Sequence, residues 1–85
     1  MTPTNCENYL RDVLGELLES ARAAKADYLA AKAQGMTTDD LAFKAGSAQS
    51  YYKVIALLVD QLTAFGLDRQ RVGLTADLDI DQLLL

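Results

Sequence analysis

The chain has 85 residues, with eight Lys/Arg against twelve Asp/Glu, a net charge of −4 and a sequence pI near 4.5. One domain of this size buries only about 60–65% of its unfolded surface, so its core stays marginal unless a disulfide, a metal or a second chain enlarges it. A single Cys6 and no histidine exclude an internal disulfide, a Cys/His zinc site and a histidine general base, and the acidic balance argues against direct binding to nucleic acid or anionic membrane.

The N-terminal stretch MTPTNCENYL has neither the basic nor the apolar region of a secretory leader. The longest apolar run, VIALLV from Val54 to Val59, is far too short to cross a bilayer. A cytoplasmic protein without a cofactor is therefore expected.

Pro3 stands where a helix can begin, and Thr4 followed by Glu7 fits a capping box. Apolar or small residues then recur at Leu10, Leu14, Leu17, Ala21, Ala24, Tyr28 and Ala31. Their spacing alternates four and three, the signature of a heptad seam, and predicts a helix over about 4–34 that Gly35 stops. Acidic residues lead this helix and basic ones trail it, a gradient that suits the helix dipole.

A second helix is predicted over about 38–65. Thr37 is its expected N-cap, Asp39 and Asp40 fall at the positive end of its dipole, and Met36 and Leu41 take the positions of a hydrophobic staple. Its seam runs Leu41, Ala45, Ala48, Tyr52, Ile55, Val59 and Leu62 before Gly66. So short a link between two long helices makes them antiparallel, giving an all-α helical hairpin over residues 1–66. Tight backbone packing is expected where Ala45, Gly46, Ser47 and Ala48 face Ala21 and Ala24.

Helix 2 carries more apolar surface than one partner can cover. Tyr51, Leu58 and Phe65 form a line seven residues apart beside the seam, while Val54 and Leu57 face elsewhere again. A helix apolar nearly all round has to be covered nearly all round. A dimeric four-helix bundle is the simplest assembly that does so.

Residues 67–85 read as a polar connector, Leu67 to Thr75, followed by an acidic and hydrophobic arm that ends DLDIDQLLL. Either a short helix starting near Asp79 or an extended strand fits that arm. Its leucines have three possible seats: back over helix 2, across to a sister chain, or into another protein's groove. In the last case Gln82 to Leu85 resembles the Q-L-x-L core of bacterial sliding-clamp-binding peptides, without their usual final aromatic. Asp77, Asp79 and Asp81 lack the glycine and the late acidic residue of a calcium loop, so they read as solvated carboxylates and a helix cap.

These features point to a non-enzymatic protein–protein interaction module (an adaptor, assembly subunit or regulator) that acts as a homo-oligomer, with a dimer favoured. Tyr51, Leu58, Phe65, Ile80, Leu83 and Leu84 are its expected interface, toward itself and toward another protein. An alternative is a small acidic inhibitor, of the kind bacterial viruses encode, filling a basic nucleic-acid-binding groove on a host or defence protein. A second alternative is a small-ligand sensor with a slot between Tyr28 and Tyr52.

Overall fold

The computed structural model describes residues 5–74 and 80–84. The Thr4 half of the expected capping box, Asp77 and Asp79 lie outside the described residues. Within them the chain is all-helical. Helix α1 spans Asn5–Ala33 and α2 spans Thr38–Ala64, packed against each other. Two short 3-10 helices follow, α3 over Arg69–Val72 and α4 over Ile80–Leu83.

The turn between the long helices is built by local chemistry. Gly35 adopts a positive φ of 73°, which brings its N–H to Lys32 O and the Met36 N–H to Ala31 O, so two orphan carbonyls of α1 are satisfied. Thr37 then caps α2. Its hydroxyl accepts from the Asp40 N–H and donates to the Asp40 carboxylate at 2.9 Å. Met36 and Leu41, on either side of this cap, are both half-buried, and Gly66 N–H to Thr63 O and Leu67 N–H to Leu62 O end α2 as α1 ends.

Core residues follow the predicted seams closely on α2, where Ala48, Ile55, Val59 and Leu62 are buried and Ile55 is completely so. On α1 the buried positions are Leu14, Leu18, Ala21 and Ala31. Leu17, expected on the seam, is only half-buried, and its neighbour Leu18 takes the deeper place. Successive helix residues are turned by about 100°, so α1 buries a second stripe beside its seam.

The residues covering that stripe come from the segment read as a polar connector. Leu74 is 0% exposed and Val72 is 3% exposed, and both join the core cluster with Leu18 and Leu83. Asp68 caps α3 by accepting from the Gln70 N–H at 2.9 Å. Gly73, at φ 87°, turns its N–H to Gln70 O and the Leu74 N–H to Arg69 O. The positive φ favours glycine there, and an added Cβ would also stand 3.1 Å from Arg11 Cγ, so that side chain would have to yield slightly.

Charged groups fasten the connector to the start of α1. Arg71 donates from Nε and Nη2 to the two carboxylate oxygens of Glu7 at 3.1 and 2.8 Å, a fork-to-fork pair. Arg11 Nη2 donates to Arg71 O at 2.9 Å. The arm is seated similarly: Lys25 Nζ donates to Gln82 O, and Leu83 is 5% exposed in the chain's own core. For residues 80–84 the fold-back seat is the one observed, in the form of a short helix rather than a strand.

Two glycines inside the long helices have a different status. Gly15 and Gly46 are exposed, and a Cβ on either would meet nothing within 4 Å. Tight packing is therefore real at Ala21 and Ala48 but not at Gly46. Gly15→Ala is expected to stabilise the fold by about 1 kcal/mol, since a mid-helix glycine costs that much relative to alanine. Urea unfolding measures it, and a loss of stability would mean that Gly15 is held close to something.

Candidate interaction surface

The two flanks of the α1–α2 layer differ. On α2, Tyr52 and Thr63 face the flank that the C-terminal segment covers. Tyr52 donates its hydroxyl to Asp81 Oδ1 at 3.4 Å, and Thr63 lines a surface groove with Arg69 and Leu74. Residues 51, 58 and 65 lie about 100–140° round the helix from Tyr52, on the other flank. Tyr51, Leu58 and Phe65 therefore share one flank, while Ile80 and Leu83 pack on the core from the opposite one. The six residues expected to form one interface are thus divided between two sides of the hairpin.

Along the flank of Tyr51 runs a groove with two open clefts. Near the turn, a cleft of about 350 Å³ lies between Ser20, Ala24 and Asp27 of α1 and Lys44, Ser47 and Tyr51 of α2. Lys44 Nζ bridges to Asp27 Oδ2 at 2.5 Å along it. Such a half-exposed pair contributes under about 1 kcal/mol. At the other end, a cleft of about 150 Å³ is lined by Leu10, Leu14, Leu58, Phe65 and Leu67, with Gln61 as its polar edge.

The outward side of α2 continues this groove. Phe43 is 78% exposed, Phe65 75% and Leu57 60%, with Val54 close to half. Between them lie Gly46, Ser47, Ser50 and Gln61, all exposed and none charged. The result is an uncharged face about 33 Å long at 1.5 Å per residue, from Phe43 to Phe65. The sequence signalled Val54, Leu57 and Phe65, but Phe43 was missed because it stands alone between Ala42 and Lys44 and belongs to no seam.

The remaining expected residues have other tasks. Leu83 is core, and Leu84 is 44% exposed at the end of the arm. Tyr28 is half-buried, and the Tyr52 hydroxyl is directed at Asp81, so the tyrosine on the inter-helix cleft is Tyr51. Among the described residues no group of three or more His, Cys, Asp or Glu is placed to hold a metal. No described helix is long and apolar enough to cross a membrane.

Fold and surface together define an all-α helical hairpin in which, among the described residues, the C-terminal ones cover one flank and leave the other open. Protein-family models, curated proteins and solved structures contain no match to this chain.

Proposed function

We propose that the chain is a non-enzymatic protein–protein interaction module that works as a homo-oligomer, in its simplest form a dimeric four-helix bundle. One observation carries this reading: the uncharged outer face of α2, on which Phe43, Leu57 and Phe65 stand mostly in water. An uncharged face carrying that much exposed aromatic and aliphatic surface on a small chain marks an association site. Val72, Leu74, Ile80 and Leu83 pack on the opposite flank.

Light scattering on the pure protein tests it. The chain is expected to have twice its monomer mass at tens of micromolar, and Leu57→Glu is expected to weaken association about 100-fold by losing two buried leucines per dimer. Leu57 is exposed within the hairpin, so the variant keeps its helix content by circular dichroism. A wild-type chain that stays monomeric at that concentration sinks the proposal.

A second reading draws on the outer face of α1, where Asp12, Glu16 and Glu19 are all exposed at helical spacing. Such a stripe suits an inhibitor that occupies a basic groove. Partner binding that collapses between low and physiological salt supports it over the apolar face.

A further inference from the structure

Resting on the homo-oligomeric reading, we infer that the occupant of the open face is the α2 helix of a second copy. It runs antiparallel, with Lys53 of each chain beside Asp60 of the other and Phe65 of each lying over Ser47 of the other. Three observations on α2 carry this arrangement.

The first is area. With Val54 opposite the partner's Leu57, residue 43 falls opposite residue 68, beyond the partner's α2, so Phe43 adds nothing to this contact. Phe65, at roughly 200 Å² for an aromatic side chain, contributes on the order of 150 Å². With Val54, Leu57 and the polar residues between them, the face offers a contact at the low end of interface sizes, below about 1,200 Å² in total.

The second is charge. Lys53 and Asp60 are exposed on one edge of the face, seven residues apart, and form no ion pair among the described residues. The opposite edge is Tyr51, Leu58 and Phe65. A two-fold axis across the helices brings like edges together, so the charged edge of one copy meets the charged edge of the other. If Val54 lies opposite the partner's Leu57, Lys53 falls within about 3 Å, measured along the axis, of the partner's Asp60. A parallel pair would instead press each charged edge onto the partner's apolar one, leaving the two ions of each copy desolvated against Tyr51 and Leu58.

The third is shape. In the same register, residue 46 lies opposite residue 65 and residue 50 opposite residue 61. Phe65, the bulkiest group at one end, shares its edge with Ser47, one residue from that point, and meets this small side chain at the other end. By symmetry the contact occurs twice, as an isologous interface requires.

The test uses full-length chains carrying Lys53→Asp or Asp60→Lys. Each variant alone sets two like-charge pairs across its own dimer, whereas a mixed dimer restores both opposite pairs. On mixing at 0.15 M salt, native mass spectrometry is expected to show mixed dimers favoured over the statistical mixture by about tenfold in the exchange constant. Lys32→Asp mixed with Asp12→Lys, which alters net charge equally at exposed positions of α1, is expected to give the statistical mixture. A dimer that Leu57→Glu dissociates, but whose charge variants mix statistically, overturns the antiparallel arrangement and leaves the homo-oligomeric reading standing. A monomeric wild-type chain removes both.

Discussion

Leu74→Ala is expected to destabilise the protein by about 3 kcal/mol, in urea or on heating, although it alters a residue ten positions beyond the end of α2. Leu74 has no exposed surface and lies in the cluster with Leu18, Val72 and Leu83. Removing most of such a side chain loses its transfer free energy and leaves a cavity that the neighbours only partly fill. For a domain of this size the melting temperature falls by about 15 °C. Leu29→Ala, on an exposed part of α1, is the control and is expected to change stability by less than about 0.5 kcal/mol. If both variants behave alike, the connector is not part of the core.

Leu83→Ala is expected to cost about 2.5 kcal/mol, and Leu84→Ala, one residue along, much less. Leu83 is buried against the chain's own core and Leu84 is nearly half exposed. Arm exchange between copies would produce the same ordering in a dimer, so the measurement belongs in the Leu57→Glu background, where the chain is single. An equal loss there assigns Leu83 to its own hairpin. A loss that vanishes in that background assigns the arm to a sister chain.

The hairpin was legible because its periodicity is local. Alternating spacings of four and three mark both helices, and Gly35, Thr37 and Gly66 punctuate them by mechanisms that depend only on neighbouring backbone groups. The connector was not legible, since Asp68, Arg69, Gln70 and Arg71 outnumber the two residues that matter, Val72 and Leu74. A signal was nevertheless present: Asp68 before the short helix and Gly73 after it are the two caps of α3. The pairing of Arg71 with Glu7, 64 residues away in sequence, leaves no trace in composition or spacing.

The candidate surface divides along the same line. Tyr51, Leu58 and Phe65 could be placed together from their seven-residue spacing, because helix geometry alone decides that they share a flank. Joining them to Ile80, Leu83 and Leu84 required knowing which flank the arm would choose. That choice is made by tertiary contacts, Lys25 with Gln82 O and Tyr52 with Asp81, and four-and-three spacing cannot express it.

The clasp between Glu7 and Arg71 orders events during synthesis. A chain emerging from its N-terminus has made all of α1 and α2 before it possesses Arg71, Val72, Leu74 or Leu83. The nascent hairpin must therefore wait with Leu18 bare on one side and Leu57 and Phe65 bare on the other. In that interval a neighbouring nascent chain can take either side, including the wrong one. Lengthening the stretch between Gly66 and Asp68 would prolong the wait, and misassembled aggregates should increase even if the finished fold were equally stable.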